Sequence, residues 1–228
     1  MKSIFWIVLC VISSFAESFH VYTEQLPPFN YMENNKVVGS STALLQEMFK
    51  KSGHTIAHGE VILTSWARGY HEALNTPNSV IYSTARTAER ENLFKWVGPV
   101  NKLTIGLIAK KSSKITIKDA ACLNNYTIAV MHETAAESIL VGAGVKAENM
   151  ERFSNASSQI KKLHNGRVDM MAFGVEAMYQ LLKNEGIDSS EYELVYPLKE
   201  SDLYFAFHKD TDDSIIKAFN DILKTLKK

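Results

Sequence analysis

The sequence predicts an α/β fold of two similar lobes, each a mixed sheet flanked by helices. Three observations lead there. Short apolar, β-rich runs alternate with amphipathic helical patterns along the chain from about Ser18 to its end. One unit occurs in both halves: HEALNTPNSVIYS (71–83) and IKKLHNGRVDMMAF (160–173) each read as an amphipathic helix, a Gly/Asn-type turn and a buried strand. A hydrophobic content of 46% supplies a core, with no low-complexity tract and no long Pro/Gly/Ser linker. Two lobes across a cleft fit this pattern better than one continuous sheet.

The N-terminus bears on location. Lys2 precedes an apolar run, Ile4 to Ile12, and Ser14 and Ala16 are small. That run is shorter than the ~20 apolar residues of a membrane span. Residues 1–16 are therefore expected to be a secretory signal peptide cut before Glu17. Leu9 stands before Cys10 where a lipoprotein signal wants a small residue, so a soluble exported protein is expected. Removing that segment leaves Cys122 alone, so no internal disulfide is expected. The 25 basic residues balance 25 acidic ones, which gives no footprint for nucleic acid.

The elements follow in order. Phe19–Thr23 is a strand closed by the turn Gln25-Leu26-Pro27-Pro28. Ser40-Ser41-Thr42 is expected to cap a helix with Leu44, Leu45, Met48 and Phe49 on one face, ended by Gly53. Val61–Leu63 is a strand, followed by a helix with Trp66, Tyr70, Ala73 and Leu74 on one side, then a strand at Val80–Ser83. In the second half, Tyr126–Met131 is a strand and Thr134 opens a helix through Val141. Ser154-Asn155 caps a helix burying Ile160 and Leu163. A strand at Val168–Phe173 leads to a helix through Leu182, and Leu203–Phe207 is the last strand. The terminal helix starts at Thr211 or Asp212, buries Ile215, Phe219, Ile222 and Leu226, and ends in lysines that suit its dipole.

The segment from Ile81 to Arg90 carries the chemistry. It reads as an apolar strand running into Ser83 and Thr84, then a short helix opening at Thr87, with Arg90 just past the strand end. Hydroxyls, a helix N-terminus and a guanidinium fork all favour an anion, a carboxylate above all. No catalytic motif accompanies them. His54 and His58 have helical spacing but lie in an expected strand without a third ligand, so no metal is expected, and no cofactor.

Five segments in order, PPFNYMENNKVVG, SWARGYHEAL, STARTAERENLFKWVGP, NGRVDMMAF and YFAFHKDT, make the chain resemble the bacterial extracellular solute-binding proteins of family 3, the polar amino acid type. The resemblance covers essentially the whole chain after the signal peptide. It implies two Rossmann-like lobes, with residues 17–103 and 201–228 in the first and 104–200 in the second, and hinge strands near 100–104 and 199–203. It further implies a periplasmic, non-enzymatic monomer that closes on a small polar, carboxylate-bearing, amino-acid-like solute. The partner would be a membrane permease complex or a receptor. A sensing accessory role and a periplasmic dehydratase or lyase using Glu176 or His132 are the alternatives.

The resemblance also assigns residues one by one. Arg90, in Thr87-Ala88-Glu89-Arg90, matches the arginine that grips the ligand carboxylate; otherwise it is a turn residue paired with Glu89 or Glu91. Ser83, Thr84 and Ala85 match strand-end donors, Ala85 lacking the usual hydroxyl. Trp66 matches a stacking aromatic or is a core tryptophan. Thr134 and Ala135 match a helix start that caps the carboxylate from the second lobe. Glu24 lies near an acidic position that meets amino groups, and Leu26 falls where an aromatic is common. Arg68 and Arg86 are either cleft cations or surface residues. Gly174 stands where the amine-binding aspartate is expected, leaving Glu24 or Glu176 to supply that anion, or a ligand that is not a standard α-amino acid.

Overall fold

In the computed structural model, residues 16–227 are described, so the expected signal peptide lies outside them apart from Ala16. The chain opens with β1 (Ser18–Thr23), whose Phe19 and Val21 are wholly buried. A hairpin of β2 (Tyr31–Glu33) and β3 (Lys36–Val38) turns at Asn34-Asn35, both at positive φ, as a two-residue primed turn requires. Helix α1 (Ser40–Ser52) is capped by Gly39, not by the expected hydroxyls. At φ 116°, with a Cβ there falling 2.4 Å from the Phe29 carbonyl oxygen, only glycine fits. Thr42, freed from capping, bonds the Tyr82 hydroxyl at 2.7 Å inside the lobe.

Strand β4 (Thr55–Leu63), helix α2 (Trp66–Asn75) and strand β5 (Ser79–Ala85) follow. Past β5 the helix expected at Thr87 is replaced by successive turns, closed by Arg90 N–H to Thr87 O and Leu93 N–H to Arg90 O. Strand β6 (Phe94–Lys110) then runs for 17 residues. The second lobe contains β7 (Ile128–Met131), α3 (Ala135–Gly142), β8 (Met150–Phe153), α4 (Ala156–His164), β9 (Met170–Gly174) and α5 (Val175–Asn184). Strand β10 (Tyr192–His208) is again 17 residues long, and α6 (Asp213–Leu226) ends the fold.

The eight main strands form one hydrogen-bonded sheet in the order β4-β1-β5-β10-β6-β9-β7-β8. A single ladder, where two separate sheets were expected, follows from the long strands. β6 and β10 pair antiparallel from Lys110–Tyr192 to Phe94–His208, through both lobes. β5 joins β10 at residues 203–207, whereas β9 joins β6 at 105–108, so each lobe's strands attach to a different stretch of the same pair. The chain therefore enters and leaves the second lobe on adjacent strands.

Helix α6 returns the C-terminus to the first lobe. Its Phe219 packs on Phe49 and Phe207, ring centroids 5.1 Å apart in each case, and on Phe19 at 6.4 Å. Leu223, on the same face, is buried with Ile215, while Ile222 and Leu226 are only partly covered. Burying four phenylalanines contributes several kcal/mol to this lobe.

Candidate functional site

A cavity of about 450 Å³, counting its open mouth, lies between the lobes beside the long strands. Its polar side is built from the first lobe. Ser83 sits at a β-bulge: Thr84 faces Tyr204 and Tyr82 faces Phe205, leaving Ser83 unopposed at φ 57°. A left-handed serine is strained, and here the bulge turns its hydroxyl into a buried network. The hydroxyl donates to Asn30 Oδ1 and lies 3.0 Å from Ser41 Oγ, which also receives Asn101 Nδ2 at 2.8 Å. Asn30 Nδ2 in turn donates to Glu24 O at 2.7 Å, fixing the backbone at the end of β1.

Glu24 points into the cavity from that anchored position. It is 8% exposed, and its Oε2 has no hydrogen-bond partner among the described residues. Burial pushes its carboxyl up to about 8, with the nearby Arg90 charge opposing only in part. Glu24 is thus mostly a neutral acid near pH 7.

Arg90 is 6% exposed and reaches across to the second lobe. Its Nη1 donates to Ala85 O at 3.2 Å and its Nη2 to Glu133 O at 2.9 Å. The guanidinium lies 5.0 Å from the Trp66 ring centroid and 5.1 Å from that of Tyr70, within cation–π range. Burial pulls its pKa down from the usual arginine value, Tyr70 acting the other way. Trp66 donates its Nε1–H to the same Glu133 carbonyl at 2.8 Å and stacks on Tyr70. The tryptophan is thus both a buried core residue and a cavity wall.

Glu133 is held at φ 60° by the start of α3. The Thr134 hydroxyl accepts from Glu137 N–H, while Glu137 Oε2 reaches back to Glu133 N–H at 2.7 Å, a variant of the capping box. Burial alone would raise the Glu137 carboxyl. Bonds from Arg152 and the Glu133 N–H hold it below its ordinary value instead. Thr134, Ala135 and Ala136 line the cavity, so the N-terminus of α3 faces it.

The sequence-predicted residues divide into three groups. Arg90, Trp66, Ser83, Ala85, Thr134, Ala135 and Glu24 line one cavity, and Gly174 and Leu26 line it too. Thr84 is wholly buried beside it with its hydroxyl on Ile81 O at 3.3 Å, outside the lining. Arg68 is exposed on α2, away from the cavity. The exposed cation paired with Glu91 is Arg86, stacked on Trp96 and Tyr204; the pairing considered for Arg90 belongs to Arg86. Glu176 and His132 are exposed and do not line the cavity, so Glu176 does not replace the missing aspartate in this conformation.

The sequence reading missed the apolar wall. Leu103, Ile105 and Leu203 from the long strands, with Phe173, line the same cavity as Glu24 and Arg90. A Cβ on Gly174 would lie 2.6 Å from Leu103 Cδ1, so Leu103 fills the space of a side chain at 174. The signal was present in Gly174 itself, but its partner lies 71 positions away on a strand with no motif. Among the described residues no cluster of His, Cys, Asp and Glu is arranged to hold a metal, and no helix is long and apolar enough to cross a membrane.

The fold is shared with solved two-lobed binding proteins. A histidine kinase sensor domain similar to periplasmic binding proteins superposes with a TM-score of 0.80 at 14% identity, covering 92% of this chain and 90% of that one. Holo ArgBP from T. maritima gives 0.79 at 19% identity over 92% and 91% of the two chains. An ancestral arginine-binding protein bound to glutamine gives 0.78 at 21% identity over 93% of each. A search of the curated proteins finds no match. The family described as bacterial extracellular solute-binding proteins, family 3, matches residues 20–228. With the cavity between two lobes and that match across nearly its whole length, the chain belongs to this family.

Proposed function

We propose that the protein is exported to the periplasm and there captures a small carboxylate-bearing solute, of amino-acid size, for delivery to a membrane transporter. The observation that carries the reading is Arg90, a buried guanidinium in the cavity that bonds the Ala85 and Glu133 carbonyls, lies against Trp66 and Tyr70, and has the buried Glu24 nearby without pairing to it. A buried cation whose nearby carboxyl is held mostly neutral is costly, and a ligand anion offsets that cost. The guanidinium has more N–H groups than the two carbonyls engage, so a bidentate grip remains open to it.

The lobes close on the solute by bending at residues 100–104 and 199–203, where the two long strands run side by side. Closure is favoured because the solute then meets Arg90 on one lobe and the start of α3 on the other. Neighbours of the same fold carry arginine and glutamine in their bound forms, which supports a solute of that size. A catalytic role has little support, because Glu176 and His132 lie away from the cavity.

Thermal melting of wild type and Arg90→Ala against amino acids, monocarboxylates, dicarboxylates, polyamines and small peptides tests the proposal. A solute at about 100 times its dissociation constant adds about 2.7 kcal/mol. A carboxylate that raises the melting temperature of wild type alone is the expected result. The variant should bind it about 2 kcal/mol or more weakly by calorimetry, since a charged donor is lost from a buried site. Equal affinity in both proteins removes Arg90 from the site.

A further inference from the structure

The cavity is rich in hydrogen-bond donors and poor in acceptors, and this narrows the proposed solute. On the donor side stand the remaining Arg90 N–H groups and the first-turn N–H groups of α3 at Ala135 and Ala136, which have no partner within their helix. Glu24 adds an O–H when neutral, and its buried, unpartnered Oε2 is a second sign that a ligand atom belongs there. Acceptors are scarce. The Ala85 and Glu133 carbonyls already receive Arg90, and Glu133 O receives Trp66 as well. The Thr134 hydroxyl donates to Met131 O at 2.8 Å and accepts from Glu137 N–H, and the Ser83 hydroxyl is tied to Asn30 and Ser41, so each keeps only uncharged lone-pair capacity. Where Gly174 brings β9 to the cavity there is no side chain at all, and Leu103 closes the gap.

The geometry points to a monocarboxylate with an apolar body and no α-ammonium, its carboxylate set between Arg90 and the start of α3 and its body against Leu103, Ile105 and Leu203. The inference rests on the carboxylate reading of the site given above. An ammonium brings three N–H donors that must all find acceptors once water is excluded. Glu24 is the one acidic side chain in the lining and is held mostly neutral, while the Ser83 and Thr134 hydroxyls offer only uncharged lone pairs. An anion finds donors on both lobes, and the aliphatic wall suits a hydrocarbon body.

Calorimetry with matched pairs tests this: butanoate with 2-aminobutanoate, 4-methylpentanoate with leucine, and 3-phenylpropanoate with phenylalanine. The expected result is a pair in which wild type binds the plain acid at least tenfold more tightly than its amino counterpart. In the double variant Leu103→Ala, Gly174→Asp, which makes room for a carboxylate, the preference should move at least tenfold towards the amino acid. Leu103→Ala alone adds no buried charge; it should bind a bulkier acid relatively better and keep the preference for the plain acid. Equal or tighter binding of the amino acid by wild type overturns the inference and leaves the proposed function intact. Binding of some other carboxylate, with none from any pair, overturns the apolar body. If no carboxylate of any kind binds, the proposed function falls as well.

Discussion

The first-lobe wall of the cavity is built of side chains, whereas the second-lobe wall offers mostly backbone. Glu24, Arg90 and Trp66 stand on the first, braced by Asn30, Ser41 and Ser83. The second presents the Glu133 carbonyl and the opening turn of α3, with Gly174 and Phe173 adding no polar side chain. A guanidinium can reposition on a flexible stem, but a carbonyl at φ 60° is fixed by its loop. On the proposed function, the first wall would set which charges are accepted. The second sets whether the lobes meet in register, since Glu133 O receives both Trp66 and Arg90 across the gap.

The largest expected effect belongs to the ionisable wall. An acid whose folded pKa lies above its unfolded value holds its proton more tightly when folded. Its contribution to stability is thus greatest below the ordinary glutamate range and declines as pH rises towards about 8, levelling off above that. Arg90 is the charged side chain facing Glu24 in the cavity and moderates the effect without reversing it. Wild-type stability should fall by on the order of a few kcal/mol from mildly acidic conditions to pH ~8, and Glu24→Gln should flatten that slope. Melting curves across that window measure it. Parallel slopes in the two proteins would show that Glu24 is not the buried neutral acid of the site.

Next comes the bond between the walls. Trp66→Phe keeps the ring against Tyr70 and Arg90 and removes the donor to Glu133 O. About 1 kcal/mol of stability should be lost, since Arg90 still satisfies that carbonyl. Small-angle scattering of the ligand-free variant should show a larger radius of gyration if this bond helps hold the lobes together. An unchanged radius would assign the latch to Arg90 alone.

The same contrast explains what the sequence made legible. Side-chain chemistry announces itself, so Arg90 past the strand end, Trp66 on its helix face and the Thr134 cap were all readable from local pattern. The Phe19–Phe219 packing was half readable: α6 has a clear apolar face, but Leu223 was overlooked for Ile222 and Leu226. The two long strands were read only as short pieces, because polar residues at 101, 102, 104 and 199–202 break the apolar runs in their middle. Register across the ladder, which brings Leu103 beside Gly174, depends on pairings dozens of residues apart and leaves no local trace. The helix expected at Thr87 failed for a related reason: the segment turns back to bring Arg90 under Ala85, a tertiary demand that outweighs local propensity.

The smallest effect lies behind the backbone wall. Glu137 never lines the cavity, yet its Oε2 holds the Glu133 N–H at 2.7 Å while Arg152 pairs with its other oxygen. Glu137→Gln keeps an acceptor of similar shape and removes the charge. The loss should be about 0.5–1 kcal/mol, because the bond to an ionised acceptor weakens and the partly solvent-screened ion pair with Arg152 adds only a small term. Arg152→Ala, which leaves the Glu137–Glu133 bond in place, should cost less still. If the second wall works through the position of the Glu133 carbonyl, Glu137→Gln should weaken solute binding more than Arg152→Ala does, although neither residue touches the solute. Calorimetry on both variants with one solute decides it. Equal small losses would mean that only the charge of the pair matters, and that α3 holds the carbonyl without help from its glutamate.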